Sequence, residues 1–279
     1  MRRGILCVLL SISIASAPQA TAAISSESGV PTIDQAMLNA KFQGMLELGL
    51  TPSPAAFGQP VSRSQLSAAA ASTVTSYSRT LNVIQHAQSA TNWCGPAAGL
   101  AVLRYLGRNT SALYPYPSLS ESALAGSQYM NSGSAGSTAG TDWADLDMSH
   151  GLNTWIGSSI YFEFVPTSIA NLWDYVGRDI SAGLPVPADL VELGNGPFYN
   201  NHPPTATGST RYHWLTIYGM TGASALAGTV LKFADSGGGS ASLVAQNNGW
   251  INVNPYFQLS TSASYSRMVQ VDGYRGIVW

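Results

Sequence analysis

Apolar positions recur at helical spacing in four stretches of the chain. Met37, Leu38, Phe42, Met45 and Leu46 follow Thr32 and Asp34, either of which can cap a helix running to about Leu48. Leu100, Leu103, Tyr105 and Leu106 mark a second helix from Pro96, suited to a first turn, to Gly107, a natural stop. Trp143 to Trp155 and Ile169 to Ile180 read as two more. Short runs rich in β-branched and aromatic residues predict strands at Ser159–Val165, Val186–Leu193, Tyr212–Gly219, Val230–Ala234 and Ile277–Trp279. Helices come first and strands dominate the second half, an order that predicts an α+β fold. The Gly- and Ser-rich stretch from Tyr129 to Thr141 predicts an exposed loop. There is no internal repeat.

Composition narrows the class. Of 279 residues 45% are hydrophobic and 9% charged, with 28 Gly and 15 Pro. That excludes a disordered charged tail, a coiled coil and a collagen. The 12 Lys and Arg stand against 14 Asp and Glu and form no basic stripe, so nucleic acid is not an expected partner. The first 22 residues read as an export signal. Arg2 and Arg3 supply the charge, Ile5 to Ile14 the apolar stretch, and Ala20-Thr21-Ala22 a small-x-small cleavage site. Ten apolar residues fall well short of the roughly 20 needed to cross a bilayer, and no later stretch qualifies. The expected product is a secreted protein without a membrane span. Residues 23–80 read as an N-terminal extension and linker. The Pro-rich turn Thr51-Pro52-Ser53-Pro54 and the run from Ser67 to Thr73 break its pattern. Only its length would make it a propeptide, so a plain extension is the simpler reading.

Cysteine use then becomes informative. Cys7 lies in the signal, which leaves Cys94 as the sole thiol of the exported chain, without a disulfide partner. A lone buried cysteine is often no more than a small hydrophobe. Cys94, however, directly precedes Gly95-Pro96 and a helix start, where the dipole and unpaired N–H groups favour thiolate. Gly95 reads as room for a substrate approaching the sulfur. Gln88, six residues earlier, is placed to donate to an oxyanion, with Gln85 as its competitor.

A thiolate nucleophile needs a base. Among His86, His150, His202 and His213, the last lies in the apolar strand Tyr212-His213-Trp214-Leu215, where an imidazole is costly unless partnered. A strand histidine is most often structural; the presence of the sole thiol singles this one out. His86 reads as solvated, His150 as a helix C-terminal cation and His202 as a loop residue. Asp235, 22 residues after His213 at the end of a strand, is the candidate acceptor that orients the ring. Taken alone it would be an ordinary turn opener.

Gln88, Cys94-Gly95-Pro96-Ala97-Ala98, His213-Trp214 and Asp235, in that order, resemble papain-like cysteine peptidases of the bacteriocin-processing, double-glycine type. Gly140-Thr141 followed by Gly151-Leu152-Asn153 is similar to the family's middle helix. Ala182-Gly183-Leu184-Pro185-Val186 is similar to the strand before its histidine. The resemblance covers residues 81–279. It implies a papain-like fold, Cys94 as nucleophile, His213 as base, Asp235 as orienter and Gln88 in the oxyanion hole. It also implies a peptide or protein substrate and no cofactor or metal. The best-known members are fused to peptide-exporting transporters. Here no membrane span and no P-loop nucleotide-binding module is expected, so cleavage after Gly-Gly does not carry over as a rule. Two alternatives stand beside a secreted peptidase: a cell-wall amidase, and a non-catalytic binding protein on the same fold.

Overall fold

The computed structural model describes residues 34–47, 76–166, 169–193, 210–223, 230–239, 256–258 and 276–279. The fold is mixed α and β around an antiparallel sheet. Its spine is β4 (Thr210–Ala223), whose Tyr-His-Trp-Leu-Thr-Ile-Tyr run has the β-branched and aromatic content that suits a pleated surface. Along one edge β3 (Val186–Leu193) pairs with Thr210–Ile217, and β1 (Ser76–Thr80) takes over that edge at Gly219–Ala223. The other edge carries β5 (Val230–Asp235), followed by β6 (Tyr256–Gln258). Outside β3 lie β7 (Gly276–Val278) and then β2 (Glu163–Phe164).

Among the described residues five helices accompany this sheet: α1 (Gln35–Glu47), α2 (Cys94–Tyr105), α3 (Glu121–Leu124), α4 (Asp147–Ile156) and α5 (Ile169–Ala182). Residues Gly95 to Leu103 of α2 are all buried, as expected of a helix that is apolar on every side. Its small side chains let it approach β4 closely enough for the Thr216 hydroxyl to donate to the Ala98 carbonyl at 3.1 Å. The helix ends as its glycine predicts. Gly107 adopts φ +68°, its N–H reaches the Arg104 carbonyl, and the Arg108 N–H reaches Leu103, a Schellman closure.

Several expectations need correcting. The stretch read as extension and linker supplies a helix and a strand to the folded body. Asp34 caps α1, accepting from the Ala36 N–H at 2.9 Å, and Leu38, Phe42 and Met45 enter the core against α5. The helix expected from Trp143 starts only at Asp147. Residues 143–146 form a turn that ends with Leu146 at φ +60°, so His150 sits mid-helix and exposed, not at a C-terminus. The strand expected at 159–165 shrinks to two residues. The Asn153 side chain takes the backbone N–H groups of Ile160 and Tyr161 and donates to the Tyr161 carbonyl. The signal segment, the run from Ser67 to Thr73 and His202 lie outside the described residues.

Candidate active site

Cys94 is the first residue of α2, which starts two residues earlier than a helix beginning at Pro96. Trp93 precedes it in the N-cap position and makes no side-chain cap. The first-turn N–H groups are thus not satisfied by a side chain, and the thiol stands at the positive end of the helix. Cys94 is partly buried and is the free cysteine of the described residues. Gly95 proves necessary for a reason other than substrate access. A Cβ there would lie 1.9 Å from the Thr141 hydroxyl oxygen, so the space is filled by the protein itself.

His213 lies on β4, and Asp235, the last residue of β5, pairs with Leu215. With side chains alternating along a strand, His213 and Asp235 share a face and stand diagonally across the ladder. They meet at 2.8 Å, His213 Nε2 to Asp235 Oδ1, and both are almost fully buried. The same Oδ1 accepts the Gly237 N–H at 2.8 Å. With Nε2 engaged, Nδ1 is the ring nitrogen left for Cys94, with which His213 is also hydrogen-bonded.

The electrostatics follow from these contacts. Burial alone pushes the Cys94 thiol up. The His213 contact, with the Trp214 and Gly95 backbone N–H groups, more than offsets this and brings it below the ordinary thiol value. Burial alone likewise pushes His213 down, but the Asp235 carboxylate and Cys94 hold it well above the usual imidazole range. Both shifts favour a thiolate–imidazolium pair.

The two glutamines are placed differently from each other. Gln88 is buried, and its amide nitrogen donates to the carbonyls of Ala90 at 2.8 Å and Thr91 at 3.2 Å. Its Oε1 accepts from the Ser236 hydroxyl at 3.3 Å. An oxyanion could therefore be served by this amide only in exchange for one of those carbonyls. Gln85 donates to the Asp235 carbonyl instead.

Neither a protein-family model, nor a curated protein, nor a solved structure matches this chain.

Several residues of the site were not singled out in the sequence. The loop expected between Tyr129 and Thr141 is exposed along most of its backbone yet tied down beside the thiol. Asn92 donates to the carbonyls of Ser132 and Ala139, both at 2.8 Å, and accepts the Gly136 N–H at 3.0 Å. Trp93 Nε1 donates to the Gly133 carbonyl, and Trp214 Nε1 to that of Thr141. On the other flank, buried Glu121 accepts from the Ser89 N–H and hydroxyl and pairs with His86 at 3.5 Å. His86 is thus partnered while remaining partly exposed. The one legible signal was proximity: Asn92 and Trp93 directly precede Cys94. Among the described residues no group of three His, Cys, Asp or Glu side chains is placed to share a metal ion.

Proposed function

We propose that the chain is a papain-like cysteine hydrolase acting on peptide bonds, exported behind the signal read in residues 1–22. One observation carries this reading: a thiol at a helix start, an imidazole hydrogen-bonded to it, and a buried carboxylate 2.8 Å from the far ring nitrogen. A structural histidine would need one partner in an apolar strand; this one has two, and the thiol is among them. A helix carrying the nucleophile, packed on an antiparallel sheet carrying base and acid, is also what a papain-like fold requires.

In the mechanism, the Cys94 thiolate attacks the peptide carbonyl carbon and the carbonyl electrons move to oxygen. The Cys94 backbone N–H, at the open helix end, and the Gln88 amide stabilise that oxyanion. His213 gives its Nδ1 proton to the departing amine, leaving a thioester on Cys94. The neutral imidazole then takes a proton from water, whose oxygen attacks the thioester. The acid product leaves, and thiolate and imidazolium are restored. Asp235 keeps the ring oriented and stays ionised throughout.

The test is hydrolysis of a mixed peptide library by the purified protein, with Cys94→Ala alongside. New termini are expected from the wild type and none from the variant. Equal turnover by both would discard the assignment. A wild type inactive on peptides but active on peptidoglycan would move the chemistry to the amidase.

A further inference from the structure

The acid of the site is the last residue of β5, where the ladder with β4 ends at the Leu215 pair. After Asp235 the chain runs Ser236-Gly237-Gly238-Gly239 in a short 3-10 turn, and three consecutive glycines impose almost no backbone preference. The ladder holds Asp235 from its N-terminal side, and a carboxylate that must hold an imidazole at 2.8 Å also needs tethers on the glycine-rich C-terminal side. The approach segment to the nucleophile provides them. Gln85 Nε2 donates to the Asp235 carbonyl, the Gln88 N–H donates to the Ser236 carbonyl at 2.8 Å, and the Ser236 hydroxyl returns to Gln88 Oε1. The first of these contacts pins the peptide plane just after Asp235. The Gly237 N–H on Oδ1 then sets the carboxylate itself.

We propose that Gln85 is a positioning residue for the triad acid: its side-chain amide fixes the Asp235 backbone and thereby aims the carboxylate at His213. The inference rests on the reading of Cys94, His213 and Asp235 as a working triad. The amide has a definite orientation, because turning it over would set Oε1 against the Asp235 carbonyl. Gln85 Oε1 itself is buried and has no partner among the described residues, so hydration is not what keeps the side chain there. The titratable groups acting on His213 are Asp235 from β5 and Cys94 from α2. Loosening Asp235 therefore weakens the one anion besides the thiolate that, among the described residues, favours imidazolium. The thiol then drifts back toward ordinary behaviour.

The experiment is alkylation of Cys94 in the full chain by iodoacetamide, followed by peptide mass over a range of pH. It needs no substrate. Wild type should still react rapidly at about pH 6, where a free thiol is mostly protonated. Gln85→Met, which keeps the length but loses the donor, should move the midpoint up by about one pH unit. That lowers the pH 6 rate by about two- to sixfold for a wild-type midpoint between 5 and 6 and leaves the alkaline rate unchanged. Gln85→Glu is the second variant, and thermal melts establish that each is folded. Adding Gln85→Met to Asp235→Asn should change little further, because the glutamine acts through the acid. A wild-type profile in both Gln85 variants, or a loss that adds in full to that of Asp235→Asn, would overturn the proposal. If wild type reacts only above about pH 8 and His213→Ala changes nothing, the triad reading itself fails, and the inference falls with it.

Discussion

At the scale of single residues, the site separates what the chemistry needs from what the packing needs. Gln88 belongs to both. If its amide passes from the Thr91 carbonyl, the longer of its two contacts, to the oxyanion, Gln88→Ala should lower kcat by about 10²–10³ with KM nearly unchanged. Steady-state kinetics with a thermal melt distinguish this from a structural brace, whose loss would lower Tm and leave kcat alone. Gly95 belongs to packing. Gly95→Ala drives a methyl group into Thr141 and should destabilise by about 1–3 kcal/mol, as overpacking does. Combining it with Thr141→Gly should recover part of that loss. A Gly95→Ala protein that melts like wild type would show that Thr141 yields without strain. The residue types at positions 94, 213 and 235 were legible because few side chains can do that chemistry. The direction of the Gln85 amide was not: it answers to a carbonyl 150 residues away.

At the scale of elements, β3 was legible to the residue and β4, β5 and β7 to within a few residues, whereas the equally apolar run at 159–165 yields a strand of only two. The start of α4 was not, because the turn before it sets a leucine in the left-handed region, where no side-chain signal announces it. The attachment of α1 was equally hidden. Its anchor is Lys41, paired with Asp179 of α5 at 2.7 Å with both side chains fully buried, and the ammonium faces the rings of Tyr161 and Trp279. A lysine on a helix ordinarily signals solvent. Burial pushes Lys41 down against the pull of Asp179, and burial raises Asp179 to about 6 despite Lys41. A raised carboxyl gives stability that is complete below its unfolded value and is lost as pH rises through about 6. Lys41→Met removes the opposing cation and strengthens that trend. Urea unfolding should therefore show a larger loss for Lys41→Met at pH 8 than at pH 5, where the stranded carboxyl can take up a proton. Equal losses at the two pH values would mean that Asp179 stays charged or finds another partner. Lys41→Met with Asp179→Leu should be far milder than either change alone, since apolar replacement of a buried pair is often neutral.

At the scale of the whole molecule, the chain before Cys94 is continuous with the folded body that carries the site. Leu38, Phe42 and Met45 of α1 are each 2% exposed or less, and Tyr77 of β1 packs on Gly177 and Trp173 of α5. From β1 the backbone passes directly into the segment bearing Gln85, Gln88 and Cys94. Among the described residues no helix is long and apolar enough to cross a membrane. A removable propeptide covering these residues would uncover Tyr161, Trp279 and the Asp179 carboxylate together. Stranding that charge alone is worth about 3–5 kcal/mol, a large part of the stability of an ordinary domain. Deleting residues 1–75 should therefore lower Tm sharply and expose apolar surface to a reporter dye. Cutting the chain between residues 48 and 75 without removing α1 should do neither, because α1 is held by its own packing against α5. Gel filtration of the nicked protein should find the α1 fragment co-eluting with the body. A deletion that melts like the intact chain, or a nicked protein that sheds α1, would show that the helix is detachable and would restore the propeptide reading.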